Sequence, residues 1–141
     1  MLINYTTKEL DLMARLMRAE ALGEGNLGML MVGNVIGNRV TANCFTFKDK
    51  RSIYDVVYQS PGGFSGVKSA LFNSSATNLE KELAQRCLKG ETFHPATNAL
   101  WFYAPKANES CKSDFYSQSL AGKYKSHCFY KPDSNDCPGL Y

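Results

Sequence analysis

The sequence predicts an α+β fold, mostly helical with a small extended part. Three observations carry this. Long stretches before residue 90 repeat their apolar residues at helical spacing. Glycines and capping residues punctuate those stretches. Two short aromatic segments near the C-terminal end, each closed by a proline, read as strands.

The first helix is expected over Thr7–Ala21. Thr6 or Thr7 can cap it, and Glu9 and Asp11 suit the positive end of its dipole. Met13, Leu16 and Met17 form its apolar stripe, and Gly23 and Gly25 end it. The second helix is expected over Asn26–Val40, with Asn26 as cap and Leu27, Leu30, Met31 and Val35 on the stripe. Asn34 and Asn38 share that stripe, as buried amides bonded to the loop after the first helix or to a substrate. The structural role is the favoured one, because a buried amide needs partners either way. Gly28, Gly33 and Gly37 each cost about 1 kcal/mol relative to Ala inside a helix, and close packing of a neighbouring helix is the expected compensation. A short capped helix follows at Ser52–Gln59, then the Gly-rich loop "SPGGFSG". A further helix is expected over Ser75–Lys89, stopped by Gly90. Ala99–Pro105 and Ser126–Pro132 are the extended segments.

The chain has 141 residues and a net charge of +3, 44 % hydrophobic and 21 % charged. This suits one ordinary domain, residues 1–141, with no separate binding module. The charge is too weak and scattered for a nucleic-acid binder. No apolar run approaches the ~20 residues of a membrane span. The opening "MLINYTTKELDLM" lacks the marks of a signal peptide, so synthesis in the cytoplasm is expected. Five cysteines argue against a disulfide framework, although Cys128 and Cys137 could pair in an oxidising place. With His94 and His127 they form no zinc spacing, and no cofactor or metal is expected.

Glu20 stands out. At 100° per residue it falls inside the arc of Met13, Leu16 and Met17, at the C-terminal end of its helix. Burial and the helix dipole there would both raise its pKa, and a carboxylic acid protonated near neutral pH is what a glycosidase uses on a leaving oxygen. A structural ion pair with Arg18 or Arg39 would lower it instead. Glu24, four residues on, is either a second acid or a solvated loop residue. Phe64, Trp101, Phe102, Tyr103, Phe129 and Tyr130 form either a sugar-stacking cleft or core, with core favoured for Trp101 and Phe102. His127 reads equally as a hydrogen-bonded core histidine.

The segment "LMARLMRAEALGEGNLGMLMVGNVIGNRV", the loop "YQSPGGFSGV", the aromatic "ALWFYAP" and the terminal "SHCFY" follow in order over residues 12–130. Together they resemble the cell-wall hydrolases typified by SleB and CwlJ, nearer the CwlJ type in phrases such as "VYQSPGGF" and "HCFY". The chain departs from the SleB-type pattern at Gly63-Phe64 and Gly66. The resemblance implies a lysozyme-like fold and a glycosidase of spore cortex peptidoglycan, acting in germination. It implies Glu20 as the acid and base, with Glu24 matching the family's second acid; a hydrolase route would need such a second carboxylate, for which Asp55 is a weaker candidate. Phe64, Ser65, Asn98, Tyr103, His127 and Tyr130 become candidates for holding sugars or orienting Glu20. It further implies deposition in the spore coat, calcium dipicolinate as trigger and the coat protein GerQ as partner. A non-catalytic coat or glycan-binding protein is the competing reading.

Overall fold

The computed structural model describes residues 2–60 and 63–141. Four α-helices precede a four-stranded sheet: α1 Thr7–Ala21, α2 Gly25–Thr41, α3 Ile53–Val57 and α4 Asn78–Leu88. The strands are β1 Trp101–Tyr103, β2 Asp114–Phe115, β3 Gln118–Tyr124 and β4 His127–Lys131.

Helix α1 begins at a capping box. Thr6 accepts from the Glu9 N–H while the Glu9 carboxylate accepts from the Thr6 N–H, so two donors left over at the helix start are satisfied together. Its stripe is fully buried at Met13, Leu16 and Met17 against α2 and α4. Gly33 makes the expected close approach. A Cβ there would stand 2.6 Å from the Cys87 sulfur of α4 and 3.0 Å from Met17 Cε of α1, so the glycine lets three helices meet. Helix α4 starts three residues later than expected, at a second capping box in which Thr77 and Glu80 exchange bonds.

Asn34 and Asn38 are structural, but their partners lie elsewhere than the loop after α1. Asn34 donates to Glu91 O (2.8 Å) and accepts from Phe93 N (2.7 Å). Asn38 donates to the carbonyls of Ala96, Thr97 and Ala99. The two amides lash the segment after α4 onto α2 and deliver the chain into β1.

The sheet is antiparallel in the order β1-β4-β3-β2. The two expected extended segments are β1 and β4. Strands β2 and β3 form a further hairpin that the sequence did not announce. Their two-residue connection, Tyr116-Ser117, has φ of 51° and 62°, the signs of a type I′ turn, without the Asn-Gly that normally marks one.

Two apolar clusters result. The larger joins the helices with Phe64 and Phe129; the smaller lies on the sheet and gathers Phe47, Trp101, Cys128 and Tyr130. The disulfides belong to the smaller one, and they correct the sequence expectation. Cys44 pairs with Cys137 across 93 residues, and Cys111 with Cys128 across 17. Cys128–Cys137 does not form. The odd count reflects only Cys87, which is buried in the helical core with its thiol pushed up to about 12 by desolvation. The pairing partners are joined by tertiary packing, which sequence spacing does not encode.

Closing a 93-residue loop removes much denatured-state freedom, on the order of 4 kcal/mol in the chain-entropy account. Replacing Cys44 and Cys137 together by Ala should lower the melting temperature by several degrees. Dithiothreitol should then lower the melting temperature of the native chain further than that of the variant. Melts that do not change on reduction would mean that these bonds do not form in solution.

Candidate active site

Helix α1 ends by bringing Glu20 to the wall of a cleft of about 510 Å³, a size ordinary for a ligand site. The walls come from α1, α2, the 45–47 turn, the 63–65 loop and the β1–β3 face. Glu20 is the only carboxylate among the residues that line it.

The carboxylate is tightly held. Oε2 accepts from the Gly66 N–H (2.5 Å), and the Ser65 side chain also bonds to it. Burial raises the Glu20 pKa. The Gly66 N–H, the Arg39 charge and Ser65 pull the other way without cancelling the rise. Glu20 therefore holds a proton to higher pH than an ordinary carboxylate does. Of the two arginines proposed as partners, Arg18 is committed to Glu80 (2.9 Å), and Arg39 is the one whose charge reaches Glu20.

Arg39 sits on α2 beneath the cleft. Its Nε donates to Leu100 O (2.8 Å), and its guanidinium lies over the rings of Phe47 and Phe64, 4.8 and 4.3 Å from their centroids. Burial brings its pKa down to about 10, so it remains a cation at neutral pH.

Glu24 has a different place. Burial alone would raise its pKa, but the Ser126 side chain and N–H, with the charges of His127 and Lys125, outweigh that and lower it. Its Oε1 accepts from Ser126 Oγ (2.6 Å) and Ser126 N (2.8 Å), and lies 3.7 Å from His127 Nδ1. These contacts tie the β3–β4 turn to the start of α2. Glu24 does not line the cleft, and neither does Asp55.

The sequence candidates divide accordingly. Phe64 and Ser65 line the cleft with Glu20. Tyr130 is fully buried, its hydroxyl donating to Lys112 O (2.8 Å), and Tyr103 stacks on it while its own hydroxyl accepts from Lys112 N (2.9 Å). Both belong to the core on the sheet. His127 is buried edge-on to Phe102, and burial lowers its pKa. The Asn98 amide, oriented to match donors with acceptors, bonds to Leu140 O and fastens the C-terminal turn. Conversely Trp101 and Phe102, expected as core, reach the cleft wall while remaining mostly buried. Phe45, Phe47, Tyr116 and Gln118 line it as well. These four were not singled out. They carry no motif, and only the disulfide-tied turn and the unannounced hairpin bring them there. Among the described residues, no group of three or more His, Cys, Asp or Glu side chains is placed to hold a metal ion, and no helix is long and apolar enough to cross a membrane.

Residues 23–130 match the family model described as Cell Wall Hydrolase. The chain belongs to the cell wall hydrolase family. It is 48 % identical to cell wall hydrolase CwlJ of Halalkalibacterium halodurans, over 99 % of this chain and 96 % of that one. It is 43 % identical to cell wall hydrolase CwlJ of Bacillus subtilis, with the same coverage. Among solved structures it resembles the catalytic domain of Bacillus cereus SleB, at a TM-score of 0.72 and 25 % identity over 91 % of this chain and 93 % of that one. The fold is also that of the catalytic domain of germination-specific lytic transglycosylase SleB from Bacillus anthracis, at a TM-score of 0.71 and 23 % identity, covering 91 % of this chain and 98 % of that one. The expected lysozyme-like α+β class and the expected enzyme class, a peptidoglycan glycosidase, both stand with these matches. The family match starts just after Glu20, and the full-length relatives span it.

Two predictions follow from the geometry of this hydrolase. A Cβ at residue 66 would lie 2.6 Å from Glu20 Oε2, so Gly66→Ala should displace the carboxylate. We expect lysis of a peptidoglycan suspension to fall by about 10²-fold while the circular dichroism spectrum is kept; full lysis would show that this contact does not position Glu20. The second concerns pH. The folded-state pKa of Glu20 lies above the ordinary 4.5, so its stabilising effect is present below that value and is lost as pH rises through the folded pKa. Glu20→Gln removes this loss. Its melting temperature should gain on the native chain between pH 4 and pH 7, whereas a constant difference would mean that Glu20 titrates normally.

Proposed function

We propose that this hydrolase cleaves the β-1,4 glycan backbone of spore cortex peptidoglycan, with Glu20 as the single acid and base. The observation that carries this is the Glu20 carboxyl, partly buried, raised in pKa and held by an amide in a cleft whose lining has no second carboxylate. The cortex assignment rests on the CwlJ-named relatives and the sequence blocks shared with that type.

The steps use groups already in place. Oε2 accepts from Gly66 N–H, so the proton resides on Oε1. Oε1 gives that proton to the bridging oxygen as the glycosidic bond breaks. Glu20 is then ionised, and the Gly66 amide, Ser65 and the Arg39 charge stabilise that state. The carboxylate next takes the proton of the muramic O6 hydroxyl, whose oxygen closes on the anomeric carbon. This gives a 1,6-anhydro ring and regenerates the protonated acid. A water-activating route needs a second carboxylate or other base at about 5–9.5 Å. Glu24 is a poor candidate for that role, because its Oε1 accepts two bonds from Ser126 and the residue lies outside the cleft lining.

Glu20→Gln should reduce cortex lysis by about 10²–10⁴-fold with the fold intact. Lysis at the native rate would remove Glu20 from the mechanism. Mass spectrometry of the native chain's products should give anhydromuramic ends, and reducing ends would instead require a second base.

A further inference from the structure

Two bulky aromatic residues in this chain adopt a backbone that aromatic side chains avoid. Phe45 has φ of 53° and Tyr116 has φ of 51°. For a side chain of this size the left-handed region is a genuine outlier, held only because its surroundings impose it. The other non-glycine residues with positive φ are Asn108, Ser117 and Lys125, none of them aromatic. Phe45 and Tyr116 also share a place. Both line the Glu20 cleft, and both contact the same indole, that of Trp101. Phe45 meets it edge-on at 5.6 Å, and Tyr116 lies nearly parallel to it, 28° between planes at 6.4 Å.

Neither ring is there to fill core. Tyr116 is 64 % exposed and Phe45 38 %, whereas Trp101 beneath them is 8 % exposed. The type I′ turn accounts for the positive φ at Tyr116, but neither turn calls for an exposed aromatic side chain at Tyr116 or Phe45. That exposure is explained if the ring meets a ligand. The turns are braced from below: Cys44, beside Phe45, is bonded to Cys137, and Phe115, beside Tyr116, packs on Tyr103 and Tyr130.

We propose that Phe45, Trp101 and Tyr116 form an aromatic subsite that stacks against the pyranose ring of a sugar unit bound in the cleft beside Glu20. The inference rests on the glycan-cleaving reading above and names the residues that hold the substrate for it. The apolar faces of pyranose rings pair with aromatic faces, and Tyr116 adds a hydroxyl of the kind that bonds to sugar hydroxyls. Phe45 and Tyr116 are specificity residues, and Glu20 does the chemistry.

Trp101 is the single tryptophan of the chain, so its fluorescence reports directly on this subsite. The probe is a set of soluble glycan strands freed from peptidoglycan by an amidase, added to the Glu20→Gln chain so that nothing is cleaved. Trp101 emission should shift and saturate with strand concentration. In that background Tyr116→Gly and Phe45→Gly should weaken binding about tenfold each. Glycine accepts positive φ without strain, so both variants should melt at or above the parent's temperature. In the otherwise native chain the same substitutions should raise KM more than they lower kcat. Unchanged affinity and KM in both glycine variants would overturn the subsite. So would a parallel fall in affinity and melting temperature, because that marks a packing role. If the native chain cleaves cortex but Trp101 emission does not respond, the subsite fails and the function stands. If the native chain neither cleaves nor binds glycan, the function reading itself fails.

Discussion

The site depends on what Arg18 holds. Its guanidinium is buried, donates to the carbonyls of Leu71, Ser74 and Ser75, and pairs with Glu80 of α4 at 2.9 Å. Arg15, one turn earlier, donates to Phe72 O (2.6 Å) and lies over the Phe72 ring. Helix α1 thus grips the 71–75 segment with two arginines and presents Glu20 two residues later to Gly66, at the head of the same loop. One helix carries the acid and anchors the strap that buries it. A buried pair of this kind adds little net stability against an apolar substitute, because desolvation offsets the attraction. Its value here is positional. Removing one partner would leave an uncompensated charge and several unpaired carbonyls, so the loop has one place to lie.

That arrangement explains why two glutamates four residues apart acquire opposite characters. Glu20 is on the regular helix, its direction set by the 3.6-residue period, and it points where the strap closes over it. Desolvation wins there over the Gly66 amide, the Arg39 charge and the Ser65 hydroxyl. Glu24 lies past the break, on the turn Leu22–Glu24, where the chain reverses into α2. It meets Ser126 and Lys125 of the β3–β4 turn, and hydrogen bonds win over burial. Environments that push two acids apart often separate an acid from a base. Here the second acid joins helix to sheet, and this is what keeps the β1–β3 face opposite Glu20.

Much of the helical half was legible in the sequence because its information is local. Thr6 with Glu9, the Met13–Leu16–Met17 stripe and the glycine pair after Ala21 fixed α1 to the residue, and periodicity alone placed Glu20 on the buried arc. The start of α4 was also written locally, in Thr77 and Glu80, but read as a softer boundary at Ser75. The sheet half was less legible for physical reasons. No residue of β2 or β3 is fully buried, so "DFYSQSLAGKY" shows no clean alternation, and its turn residues are not those a type I′ turn prefers. Tyr103, His127 and Tyr130 were drawn to the site by their residue types, and the tertiary packing placed them in core instead.

The disulfides fall on one of the two walls of the cleft and not on the other. Glu20, Arg39 and the helices beneath them rest on a core of apolar side chains that needs no covalent support. The opposite wall is a three-residue strand, a two-residue turn and the 45–47 turn, too little surface to bury itself. Both disulfides fall on that side, where Cys128, Cys137 and Cys44 are packed with Trp101 and Phe47. Cross-links there restrain the segments that apolar burial cannot. The restraint is what allows Phe45 and Tyr116 to keep an unfavourable backbone while facing water. A wall held only by its own hydrophobic contacts would relax those turns and turn the rings inward, and the cleft beside Glu20 would lose its aromatic lining.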